Sequence, residues 1–370
     1  MSVYERLGLP TVINADATLT RLGGSLMPPE VVEAMQEASR NFVDLNDLQR
    51  AVGDRIASIT NNEAAYVTSG AAAGLYLSTL ACGLTTDAGE GMTILGRDRH
   101  EVVIHASQRN AYVPSIELAG ATVVEIGDQA GATSNQLDEA IGDATLAVFY
   151  FAGAHFADGA IPVEEAIGIA HARGVPVVVD AAAQLPPPEN LWRFTRDLGA
   201  DLAVFSGGKG LRGPQSSGLI LGRKDLVEVA RAHGAPNQQR GRAMKVGKEE
   251  MLGLLAAVER YLRLDQRELS ERYEYMVQTV LDAVAEVPGV TGSRDWPSEA
   301  GQPIPRARVT VGSGARAVQE ALWSRNPRIA VAVDGDAALL VNPETLNPGE
   351  EIVVAERLVV ALESLQAESE

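Results

Sequence analysis

The feature that most constrains this chain is a pair of short apolar runs inside Pro176–Gly222, each closed by a different polar ending. The first, Val177 to Val179, ends on Asp180; the second, Leu202 to Phe205, ends in Ser206-Gly207-Gly208-Lys209-Gly210. Roughly 30 residues separate Asp180 from Lys209, the length of one crossover between neighbouring parallel strands. Two adjacent strands would then carry an acid and a lysine at their carboxyl ends.

Taken singly, each residue has a plainer explanation. A strand-end Asp often caps a helix, and a Lys among glycines is often a solvated loop residue. A nucleotide-binding loop fails on spacing, because it needs a Gly five residues before Gly208 and a hydroxyl after the Lys; Ala203 and Gly210 stand there. Taken together, the pair is what a pyridoxal-phosphate site needs. The lysine forms a Schiff base with the cofactor's aldehyde, and the acid keeps the pyridine nitrogen protonated. The glycines beside Lys209 let the backbone approach a flat ring.

DAAAQLPP followed by SGGKGLRGPQSSG resembles the branch of fold-type I pyridoxal-phosphate enzymes that holds selenocysteine synthase and D-glucosaminate-6-phosphate ammonia-lyase. The likeness is closer to the ammonia-lyase group and runs over nearly the whole chain. It implies an α/β fold: a large domain on a mainly parallel seven-stranded sheet, with a smaller α/β domain at the C-terminus. The expected divisions are an N-terminal arm over 1–27, a cofactor-binding domain over 28–248, and a connecting helix with the small domain over 249–370.

At 370 residues the chain is long enough for a large core, and its 46% apolar and 22% charged content is that of an ordinary globular protein. The net charge of −18 argues against nucleic acid as a partner, while leaving room for a small anionic substrate met by a local cluster of cations. The one cysteine, Cys82, excludes an internal disulfide and reads as inert packing in an apolar helix. No apolar run is long enough to span a bilayer and the first residues lack a signal pattern, so the expectation is a cytoplasmic protein. Neither metal-ligand spacing nor a tandem repeat is present in the sequence.

Residues Met1 to Met27 read as an irregular arm. In the family such an arm lies near the active-site entrance, which makes Thr18 to Gly24, Arg21 among them, substrate contacts; a plain surface arm is the alternative. Pro28-Pro29 opens a helix with Val32, Met35 and Ala38 as its apolar positions, and a second helix runs from Leu45 to Ile59. Ala64 to Thr68 is a strand, followed by Ser69-Gly70-Ala71, where a helix N-terminus would face a phosphate. The resemblance implies that these three residues form the cofactor's phosphate cup.

Further strands are expected at Met92–Leu95, Val102–Ile104, Thr122–Ile126 and Leu146–Phe151. In this branch a His often stacks on the cofactor ring near the position of Gln108; here His105 or Gln108 is the substitute. His155 is placed to reach the ring oxygen or the substrate. Ala182 faces the same way as Asp180 and would pack on the ring, Gln184 would bond the ring oxygen, and Ser206 opens the lysine loop. A strand from Ser216 to Leu221 would be the antiparallel member of the sheet. Arg240, Arg242, Lys245 and Lys248 then form a basic cluster, read either as a solvated helix entry or as an anion site. The cations offered to an anionic substrate are Arg21, Arg212, Arg242 and Lys245.

A long helix over about Glu249 to Val287 is expected next. It leads to strands at Arg306–Val311, Ile329–Val333 and Ala337–Val341, and to helices at Val318–Trp323 and Glu351–Leu365. The implied reaction is that of a pyridoxal-phosphate lyase acting on an amino acid or amino-sugar acid, with ammonia and a 2-keto compound as products. A racemase or an aldolase on the same fold is the alternative, and a non-catalytic binding protein a more distant one. The family further implies a homodimer or a higher even oligomer.

Overall fold

The structure, a computed structural model, describes residues 2–86 and 99–369. The strand expected at Met92–Leu95 lies outside them. The chain divides into two compact units, one formed by Met27–Arg263 with Glu299–Gly301, the other by Met1–Leu26, Leu264–Ser298 and Gln302–Glu370. Strands are numbered along the described chain, and β1 (Val12–Ala15) belongs to the second, smaller unit.

The larger unit holds β2 (Ala64–Thr68), β3 (Glu101–His105), β4 (Thr122–Ile126), β5 (Thr145–Phe151), β6 (Val177–Asp180), β7 (Leu202–Ser206) and β8 (Gly218–Gly222). They form one seven-stranded sheet in the order β2-β8-β7-β6-β5-β3-β4. The run from β7 to β4 is parallel, and β8 is antiparallel to both of its neighbours. Every residue of β2, β5, β6 and β8 is buried, as strands covered on both faces must be.

The helix Ala71–Gly83 returns across this sheet and buries Leu75, Leu77 and Leu80 with Phe149, Val204 and Ile220. Gly74 lets it sit close, since a Cβ there would come within 2.6 Å of Val204 Cγ1. The Leu45–Ile59 helix is present as expected, with the Asp44 carboxylate accepting from the Asn46 and Asp47 amides.

Two expectations about helices are corrected. The helix Pro29–Ser39 buries Val31 and Ala38, whereas Val32 is exposed; the apolar stripe starts one residue earlier. The long helix expected after Glu249 is two helices, Lys248–Arg263 and Gln266–Val284. The Asp265 side chain accepts from the Arg267 and Glu268 amides and starts the second one.

In the smaller unit, β1, β9 (Thr291–Asp295), β10 (Arg306–Thr310), β11 (Arg328–Asp334) and β12 (Ala338–Val341) form a sheet ordered β1-β11-β12-β10-β9. The arm is therefore not irregular throughout, because Val12 to Ala15 pair in parallel with Arg328 to Val331. The helices Gln266–Val284, Ala315–Trp323 and Glu350–Ser369 cover this sheet, closing a core of Ile13, Val280, Val309, Val331 and Leu358. No described helix is long and apolar enough to cross a membrane.

Candidate active site

Pairing brings three chain segments to one edge of the seven-stranded sheet. Thr68, the last residue of β2, pairs with Gly218, which pairs in turn with Ser206, the last residue of β7. Asp180 closes β6 and pairs with Val204 of β7. Neighbouring strands lie ~4.8 Å apart, so the Ser69 loop, the Lys209 loop and Asp180 fall within a span of roughly 15 Å.

Asp180 is 8% exposed, and its Oδ1 accepts from the Ala182 amide at 2.9 Å. Burial pushes its carboxyl above the ordinary aspartate range; the Ala182 amide and the Lys209 charge oppose this without reversing it. A buried acid of this kind would suit a protonated pyridine nitrogen.

Beyond β2, the Thr68 hydroxyl donates to the Gly70 carbonyl at 2.8 Å, and Gly70 adopts φ +105°. The helix then starts at Ala71, with the Gly74 amide bonded back to Gly70. A Cβ on Gly70 would meet nothing within 4 Å, so there is room above the first amides of this helix. Amides opening a 13-residue helix under free space suit a phosphate group. On these two observations the residues present fit pyridoxal phosphate: Ser69, Gly70 and Ala71 would hold its phosphate, and Asp180 its ring nitrogen.

The lysine loop is built by close backbone approach. A Cβ on Gly207 would strike Ser217 Oγ at 2.0 Å, on Gly208 the Gln215 Cα at 2.5 Å, and on Gly210 the Leu185 carbonyl oxygen at 2.5 Å. The Arg212 amide donates to the Lys209 carbonyl at 2.9 Å, and Gly213 to the Gly207 carbonyl at 2.8 Å. Lys209 itself is half-buried in the turn that follows β7.

Other expected residues have more specific surroundings than the sequence suggested. Gln108 is fully buried in a short 3-10 turn after β3, with its Oε1 accepting from the Phe151 amide at 3.1 Å. His105 is also buried; its Nε2 faces the Ile161 amide at 3.4 Å and its ring meets Tyr150 edge-on at 5.6 Å. Burial lowers the His105 pKa and raises that of Tyr150, with Gln108 opposing both shifts. Both side chains thus turn to β5. Gln184 Nε2 donates to the Ala300 carbonyl at 3.0 Å, so one of the donors expected for a ring oxygen is engaged there. His155 stands exposed on the one-turn helix Ala154–Ala157, its Nδ1 against the Glu299 carbonyl at 3.1 Å and its ring on Phe156. Ala182 and Ser206 are half-buried beside Asp180 and Lys209 in sequence.

The basic cluster divides in two. Lys248 Nζ donates to the Ala38 carbonyl at 2.7 Å and pairs with Glu249, which makes it a tie between helices. Arg242 and Lys245 are exposed, carried by a segment that Met244 and Val246 pin to the larger unit. Arg21 belongs to the smaller unit, paired with Asp16 at 3.1 Å and lying over the Trp323 ring. Sequence reasoning missed Gly218, whose close approach to Gly70 seats the Ser69-Gly70 loop on β8; a Cβ there would lie 2.4 Å from the Gly70 carbonyl carbon. The glycine was visible in the sequence, its neighbour was not.

A mainly parallel sheet with an acid, a lysine loop and a helix N-terminus along one edge defines the fold-type I class of pyridoxal-phosphate enzymes. A structure described as "SPT with PLP" shares this fold, with a TM-score of 0.62 at 13% identity over 97% of this chain and 89% of that one. Within the class, the family described as "SelA: L-seryl-tRNA selenium transferase" matches residues 12–285, and the chain belongs to it. The chain is 32% identical to D-glucosaminate-6-phosphate ammonia lyase of Salmonella typhimurium, over 96% of its own length and 97% of that protein's. A solved structure of a D-glucosaminate-6-phosphate ammonia-lyase superposes with a TM-score of 0.82 at 30% identity, covering 98% of this chain and 99% of that one. The 5'-C-glycyluridine monooxygenase-decarboxylase of a Streptomyces species is 33% identical over 95% of this chain and 90% of its own.

Proposed function

We propose that this protein is a cytoplasmic pyridoxal-phosphate-dependent lyase. It would remove ammonia from an amino acid or amino-sugar acid that bears a second anionic group. The observation that carries this reading is the meeting of Asp180, the Lys209 loop and the Gly70 helix start on one sheet edge. Its support from relatives is the similarity to D-glucosaminate-6-phosphate ammonia lyase along nearly the whole chain.

When bound, the cofactor supplies a ring that accepts the electron pair left on carbon when a proton departs. The amides at Gly70 and Ala71 would bind its phosphate, and Asp180 would hold a proton on its ring nitrogen. Lys209 would anchor it, and its amine would take the proton from the substrate Cα. Hydroxide then leaves from Cβ with a proton, as water. A second water enters as ammonia departs, so the substrate yields one ammonia and one 2-keto product with no net change in oxidation state. The loop around Lys209, half-buried at that residue, would orient the breaking bond.

The site is read as one completed in a homodimer or a higher even oligomer, with Arg242 and Lys245 presented toward a neighbour's anion. The test is a screen of amino acids and phosphorylated amino-sugar acids for ammonia and keto-acid release. The holoenzyme should be yellow, borohydride should bleach the band and leave the cofactor on Lys209, and Lys209→Ala should lack both band and activity. A band unchanged in Lys209→Ala would show the anchor to be wrong. The comparable identity to the monooxygenase-decarboxylase favours a second reading, oxidative decarboxylation. Oxygen uptake with carbon dioxide release in the same screen would select it, and isomerised or cleaved substrate without ammonia would select a racemase or an aldolase.

A further inference from the structure

Among the described residues, the left-handed region of φ is occupied by glycines and by only two others, Asn61 at +53° and Arg212 at +56°. Asn tolerates this conformation through its short side chain; Arg has no such excuse. The contrast within the lysine loop is sharper still. Gly207, Gly208, Gly210 and Gly213 have ordinary φ and are glycines for lack of space, as the 2.0–3.0 Å approaches to their absent Cβ atoms show. The position whose conformation asks for glycine is the one that holds an arginine.

The backbone does not require that side chain. The bond it closes, from the Arg212 amide to the Lys209 carbonyl at 2.9 Å, would be made equally by glycine. Strain of this kind persists where a side chain serves the site. Arg212 is half-buried, three residues after the lysine, and carries a planar guanidinium that matches an oxyanion. The cofactor's own phosphate is already matched to the Gly70 helix start.

We infer that Arg212 is a specificity-determining residue that receives an oxyanion of the substrate, a carboxylate or a phosphate, and that its strained backbone is retained for that purpose. This rests on the cofactor-enzyme reading above.

The experiment compares wild-type, Arg212→Gly and Arg212→Lys holoenzymes. Thermal melting is read alongside calorimetric binding of inorganic phosphate and of acetate. Arg212→Gly should melt roughly 1–3 °C above wild type, because glycine relieves the strain. It should also bind at least one of the two anions about tenfold more weakly or worse, with Arg212→Lys in between. Selective loss of phosphate identifies a phosphate group, and selective loss of acetate a carboxylate. With a turnover substrate, KM should rise in Arg212→Gly far more than kcat falls. A lower melting point in Arg212→Gly, or unchanged affinity for both anions, overturns the inference and makes Arg212 a structural tie. The borohydride-sensitive band separates the two levels. Its absence from wild type overturns the cofactor reading and this inference with it, whereas a retained band with unchanged anion binding overturns the inference alone.

Discussion

Asp180 is a carboxylate that the cofactor-free fold resists ionising. Burial raises its pKa in the folded chain above that of the unfolded chain, so the folded state binds more protons between the two values. Stability without cofactor therefore declines as pH rises from about 3.9, the unfolded aspartate value, through the folded one, and the penalty is complete above it. Asp180→Asn removes the charge while a carbonyl oxygen can still accept from the Ala182 amide. The cofactor-free variant should withstand more denaturant than wild type at pH 7, with the gap closing below about pH 4. It should also bind cofactor yet lose most turnover, because an amide cannot hold the ring proton by charge. Equal or lower stability at pH 7 would contradict the role given to burial. At this scale Asp180 and Lys209 were legible, since each ends an apolar run. The Arg212 strain was not, because φ at that position follows from how the whole loop closes.

The helix Ala71–Gly83 and strand β8 depend on each other through glycine. A methyl group at Gly218 would sit 2.4 Å from the Gly70 carbonyl carbon and 2.6 Å from its oxygen, and neither backbone atom can yield cheaply. Gly218→Ala should displace the Gly70 loop and weaken cofactor binding by at least tenfold, about 1.4 kcal/mol, measured by dialysis and reconstitution. Gly168, exposed within the helix Val163–Ala172, has nothing within 4 Å of a Cβ. There alanine should stabilise the protein by up to about 1 kcal/mol and leave cofactor affinity alone. If both changes behaved alike, the close approach at Gly218 would not be what seats the loop. Elements with apolar patterning, such as β2 and β5, were readable in advance. Strand β9, Thr-Gly-Ser-Arg-Asp and largely exposed, carries no such pattern and exists only because β10 pairs with it. The break after Arg263 was readable in principle, since Asp265 followed by Glu268 is a helix-start signature.

For the whole molecule, the outward Arg242 and Lys245 bear on assembly. Mixing Lys209→Ala subunits with subunits carrying Arg242→Ala and Lys245→Ala tests whether sites are shared. If the cations act on a neighbour, each mixed pair has one site with both lesions and one intact, so part of the activity returns. If they act within their own subunit, every site stays damaged and none returns. A fully active monomer would refute the shared site altogether. The sequence by itself determined the alternation of strands and helices, the acid–lysine pair and the helix start after Gly70, because local patterning and fixed spacing encode all three. Only the tertiary structure decided that Lys248 ties two helices while Arg242 and Lys245 point outward, and that His105 and Gln108 turn to β5. It also assigned the arm's Val12–Ala15 to a sheet with residues some three hundred positions later. Those outcomes rest on contacts between segments remote in the chain, and no local pattern carries the identity of a distant neighbour.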